Sequence, residues 1–117
     1  MKIISTQIHG ILDYITGLLL IGLPWLLHFT DLATPTWICI LVGASILTMS
    51  IFTNYESGVI RTIAMKNHLR TDLFVGAFLS ASPWLLGFYN ELYLPFLAVG
   101  MFTIVVTILT SSESYEQ

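Results

Sequence analysis

Residues 9–29 read HGILDYITGLLLIGLPWLLHF, and residues 68–88 read HLRTDLFVGAFLSASPWLLGF. Aligned without a gap, the two stretches share His9/His68, Asp13/Asp72, Gly17/Gly76, Leu20/Leu79, Pro24/Pro83, Trp25/Trp84, Leu26/Leu85, Leu27/Leu86 and Phe29/Phe88. Self-similarity at a fixed period marks a duplicated unit whose copies pack on each other. The match continues outward: Thr53, Glu56 and Ser57 recur as Thr110, Glu113 and Ser114, and Gly43 recurs as Gly100. The 117 residues therefore read as one domain, with repeat 1 over about residues 1–57 and repeat 2 over about 58–117.

The composition sets the solvent. Of the residues, 56% are hydrophobic and 9% charged, against roughly 25% charged in an ordinary soluble domain. Apolar runs of about 18 residues or more are read as membrane spans. Four fit, at about residues 8–27, 36–52, 68–88 and 93–110. Asp13 and Pro24 interrupt the first run, and no small-residue cleavage site follows, so it reads as a span and not as a signal peptide. A net charge of −3 offers no basic patch for nucleic acid. Cys39 is the single cysteine, which excludes an internal disulfide.

Two spans per repeat is an even number, so both repeats enter the membrane from the same side. The expected fold is an all-α membrane protein: four transmembrane helices from two parallel helix-hairpin repeats, with a pseudo-two-fold axis along the membrane normal. Lys2, Arg61, Lys66 and Arg70 all fall at the N-terminus or around the central connection. The positive-inside rule then places both termini in the cytoplasm, and Trp25, Trp37 and Trp84 at the opposite interface. Residues 58–67 suit a short interfacial helix, with Val59, Ile60 and Ile63 beside Arg61 and Lys66.

At about 100° per residue, His9, Asp13, Gly17, Leu20 and Pro24 form one narrow stripe. Small residues favour close helix packing in lipid, so spans one and three are expected to meet tightly along that stripe. His9/Asp13 and His68/Asp72 stand four apart and share a helix face. Ionisable groups within spans are candidate functional sites by default. Three readings are open: hydrogen bonds that tie the repeats together, a proton or ion site, and a divalent metal site. Structure is favoured, and no metal or cofactor is assigned. Pro24 and Pro83 read as a kink or a terminator, with Trp25 and Trp84 as interfacial anchors. Glu56 and Glu113 read as solvated carboxylates.

The motif SPWLLGF at residues 82–88, and its variant LPWLLHF at 23–29, resemble the SPW-repeat family of small prokaryotic integral membrane proteins. The likeness covers nearly the whole chain, since His-x-x-x-Asp-x-x-x-Gly precedes the Pro-Trp in both copies. In the first copy Leu23 replaces the motif serine. The resemblance implies a two-repeat, four-span protein of the prokaryotic inner membrane and carries over no activity. The expected function is therefore a non-enzymatic, self-associating bundle whose partners are the lipid bilayer and further copies of itself. A proton or ion channel using His9, Asp13, His68 and Asp72 is the alternative. No nucleophile–base pair or phosphate loop supports an enzyme.

Overall fold

A computed structural model describes residues 2–111 and is all-helical apart from isolated bridges. Four helices follow in order: α1 (Thr6–Leu26), α2 (Ala33–Phe52), α3 (Met65–Leu85) and α4 (Leu94–Leu109). The exit of the second repeat, with Glu113 and Ser114, lies outside the described residues.

Of these helices, α1 and α2 combine enough length and apolar character to cross a membrane. Although α3 has 21 residues, Lys66, Arg70 and Asp72 lie in its first half. At 16 residues, α4 is apolar but shorter, about 24 Å at 1.5 Å per residue.

The Pro-Trp motif ends a helix. Both α1 and α3 run through their proline for two more residues. His28 (φ 59°) and Gly87 (φ 76°) then turn left-handed, while Phe29 N–H donates to the Pro24 carbonyl at 2.9 Å and Phe88 N–H to that of Pro83 at 2.8 Å. These are the six-to-one bonds of a Schellman ending. The prolines are buried, Trp25 and Trp84 point outward, and Phe29 and Phe88 return to the core. Phe96 joins them, with ring centroids 5.0 Å from Phe88 and 6.1 Å from Phe29.

The motif serine has a specific task. Pro83 has no N–H to give the Leu79 carbonyl one turn earlier, and Ser82 Oγ donates to that carbonyl at 2.8 Å instead. Ser82 is fully buried. Ser82→Ala is expected to cost about 1 kcal/mol, the net value of one such bond, read as a lowered thermal midpoint in detergent.

Close packing runs within each hairpin. A Cβ on Gly43 would sit 2.7 Å from the Gly17 carbonyl oxygen, and one on Gly100 2.7 Å from that of Gly76. By contrast, no Cα of α1 lies within 8 Å of a Cα of α3. The expected tight contact between the first and third helices is therefore wrong. The stripe divides its work: its glycines admit the hairpin partner, and its His and Asp reach the other hairpin through side-chain length. Apolar grooves of about 310 and 260 Å³ separate the hairpins, one walled by Ile15 and Phe102 and the other by Phe74 and Leu41.

The interfacial helix expected at residues 58–67 is also absent; α3 begins at Met65. The final carbonyls of a helix have no internal partner, and this segment supplies donors for those of α2. Val59 and Ile60 N–H donate to the Ile51 carbonyl, and Thr62 and Ile63 N–H to that of Phe52, all at 2.8–3.0 Å. Ile63 thereby bridges Thr53, as Ile4 bridges Thr110 at the end of α4. A helical 58–67 would have kept those donors for itself.

Candidate functional site

The four ionisable residues of the repeated stripe come together near the starts of α1 and α3. Ser5 caps α1, its side chain accepting the Ile8 N–H at 3.2 Å. His9 and Asp13 follow on one face, one turn apart, and His68 and Asp72 do the same on α3. All four are buried, with Asp13 the most exposed at 9%.

The pairing crosses between repeats. His9 Nε2 lies 2.8 Å from Asp72 Oδ2, and His68 Nε2 lies 2.9 Å from Asp13 Oδ2. Contacts within each helix close the figure: His9 Nε2 to Asp13 Oδ1 at 3.2 Å and His68 Nε2 to Asp72 Oδ2 at 3.0 Å. The result is a square with imidazoles and carboxylates at alternate corners. His68 Nε2 is the loosest corner, within ion-pair reach of both carboxylates but aligned for a hydrogen bond with neither.

A second layer fixes the rings. His9 Nδ1 lies 2.8 Å from Thr110 Oγ1, and His68 Nδ1 lies 2.6 Å from Thr53 Oγ1. Each threonine already donates its one hydroxyl proton to a carbonyl four residues back, Thr110 to Val106 at 2.6 Å and Thr53 to Met49 at 2.7 Å. The hydroxyl oxygen can then only accept, so each Nδ1 carries the proton. The bridges by Ile4 and Ile63 hold those threonines at the ends of α4 and α2. Each ring is thus held from three chain segments.

Among the described residues the square is asymmetric in one respect. Tyr55 is fully buried, and its hydroxyl donates to Asp13 Oδ2 at 2.9 Å. Burial first, and the Asp13 charge second, push the phenol above its usual range, so it stays protonated. Its place in the second repeat falls to Ser112. Glu56 is exposed as expected, yet it also accepts from Thr6 Oγ1 at 2.7 Å.

The other repeated residues lie away from the square. Gly17 and Gly76 face Gly43 and Gly100, while Pro24, Trp25, Pro83 and Trp84 form the opposite helix ends. Sequence reasoning misses Thr53, Thr110 and Tyr55 as members of the site. The two threonines are visible as part of the TxxES repeat, although nothing local connects them to a ring nitrogen. Tyr55 gives no periodic signal.

Beside the square lies a space of about 10 Å³, lined by His9, Asp13, Asp72, Thr16, Thr103 and Thr107 among others. That is room for about one water-sized sphere.

The SPW repeat domain model matches residues 7–110, from the turn before His9 to Thr110. The chain is a member of the SPW repeat family. No curated protein and no solved structure matches it. Within the SPW chain the motif's three letters divide between a carbonyl-capping serine, a buried proline and an outward tryptophan.

Proposed function

We propose that this SPW repeat protein is a non-enzymatic, four-span bundle of a prokaryotic cytoplasmic membrane. Its two hairpins run parallel about a pseudo-two-fold axis along the membrane normal, with both termini cytoplasmic. The His/Asp square is the clamp that holds one hairpin to the other. The observation that carries this reading is the crossed pairing, in which each histidine takes the carboxylate of the other repeat at 2.8–2.9 Å.

Several features support the membrane setting. Ile15, Leu18, Leu41, Phe74, Met101 and Ile108 are each nearly half exposed or more, a covering that suits lipid better than water. The long dimension is 46 Å, near the roughly 40–45 Å of a bilayer with its headgroups. Lys2, Arg61, Lys66 and Arg70 gather at the end that carries the square. Self-association of copies belongs to the same proposal and is read from the mass of the particle in detergent.

Conduction by the same four residues is disfavoured by packing. Beyond the roughly 10 Å³ space, the interior toward the helix turns is filled by Leu20, Leu23, Phe29, Leu79, Phe88 and Phe96. Purified protein in liposomes should therefore pass protons and monovalent ions no faster than empty liposomes between about pH 5 and 8, the range around the ordinary histidine pKa. Flux that rises with protein and vanishes in Asp72→Asn would overturn the clamp reading in favour of a pathway.

A further inference from the structure

We propose that the His/Asp square is a binding site for one divalent first-row metal ion, zinc being the best match, ligated by His9 Nε2, His68 Nε2, Asp13 and Asp72. The proposal rests on the buried square described as the clamp and adds a ligand to it. Four observations point the same way.

The first is donor set and spacing. Two imidazoles and two carboxylates suit zinc, and the four donor atoms lie within 4.8 Å of one another. Neighbouring donors are 2.8–3.2 Å apart. A tetrahedral ion with bonds of about 2.0–2.2 Å sets its ligands about 3.3–3.5 Å apart. Small shifts of four side-chain tips that widen the edges and pucker the square, drawing its diagonals in, achieve that.

The second is tautomer. Thr110 and Thr53 hold the proton of each ring on Nδ1. The nitrogen turned toward the carboxylates is then the one free to carry a lone pair. Orientation of a ligating histidine through a hydrogen bond from its other nitrogen is the usual outer layer of a metal site. Tyr55 supplies a comparable bond to Asp13.

The third is the buried His68 Nε2, which has two carboxylates within ion-pair reach and a hydrogen bond aligned with neither. It lies 2.9 Å from Asp13 Oδ2 and 3.0 Å from Asp72 Oδ2, between the two carboxylates. Ligation of an ion gives its lone pair a directed bond that neither carboxylate supplies.

The fourth is charge. Two carboxylates carry −2 together. With both rings neutral, one divalent cation balances them, and it takes the place of the two Nε2 protons that would otherwise be needed. A neutral cluster is the form that a low-dielectric interior tolerates.

The test uses the full chain purified in detergent, incubated with excess zinc chloride or cobalt chloride and desalted. Expected are about one ion per chain by mass spectrometry, visible d–d bands of tetrahedral cobalt, and a zinc-edge absorption spectrum with imidazole scattering. The His9→Gln/His68→Gln variant should lose the ion. Less than about a tenth of an ion per wild-type chain overturns the site, as does equal retention by the double variant or a sulfur shell from Cys39 or methionine. If the double variant fails to fold, the wild-type zinc-edge spectrum decides alone. Should wild type hold no ion while Asp72→Asn is less stable than wild type, the clamp stands and the metal site falls.

Discussion

Asp72→Asn is expected to reduce the folded yield in detergent to a small fraction of wild type, and Asp13→Asn to do the same. Asp72 is 2% exposed, and one of its oxygens serves both His9 at 2.8 Å and His68 at 3.0 Å. An amide keeps the shape but removes the charge, and its NH₂ end offers a donor where both rings need an acceptor. Removing one partner of a buried ion pair costs about 3–5 kcal/mol, against a total stability of about 5–15 kcal/mol. In Asp13→Asn the Tyr55 bond at 2.9 Å is disturbed as well. A cycle with His9→Gln separates the pair from the fold: if His9 and Asp72 act as one contact, the double variant loses much less than the sum of the singles. Single variants as stable as wild type, measured by unfolding midpoint in detergent, would remove the clamp.

The second large effect belongs to a glycine. Gly100→Ala should open the second hairpin. Its new Cβ would stand 2.6 Å from Ser80 N and 2.7 Å from the Gly76 carbonyl oxygen, both backbone atoms that cannot rotate away. Overpacking of this kind costs about 1–3 kcal/mol or more, and the damage falls where α3 and α4 touch. Gly22→Ala is the control, since nothing lies within 4 Å of its added Cβ. There alanine is expected to stabilise by up to about 1 kcal/mol, through its better helix propensity alone. Thermal midpoints moving in opposite directions for the two variants would establish that contact, not glycine content, sets the effect. Equal shifts would refute it.

These two outcomes divide what is legible in the chain from what is not. The helices are legible because apolar runs bounded by polar links leave little choice; the second run ends at Phe52, and so does α2. The four members of the square are legible because the same two residue types recur at the same spacing. Their neighbours are not. A stripe at helical period reports a face, not the helix that faces it, so the sequence points Gly17 toward α3 when it meets Gly43 of α2. Residues 58–64 carry apolar spacing that suggests a helix. The unmet carbonyls of Ile51 and Phe52 claim their N–H groups, a demand that exists only once α2 has formed. Tyr55 lies 42 residues from its carboxylate partner, a separation that local pattern does not bridge.

The bridge between Ile4 and Thr110 repeats the one between Ile63 and Thr53, so the backbone comes close to being a ring of two equal arcs. Joining Thr110 to Ile4 and cutting near Gly58 would merely exchange which arc is called first. Two separate copies of a single arc contain all that the square requires: a histidine, an aspartate and a threonine from each. A covalent join adds something that a pair of identical chains lacks, the freedom for the arcs to diverge. Ser82 opposite Leu23, and Tyr55 opposite Ser112, record that freedom in use. Among the described residues one carboxylate has a tyrosine and one proline a serine before it, on a frame otherwise repeated.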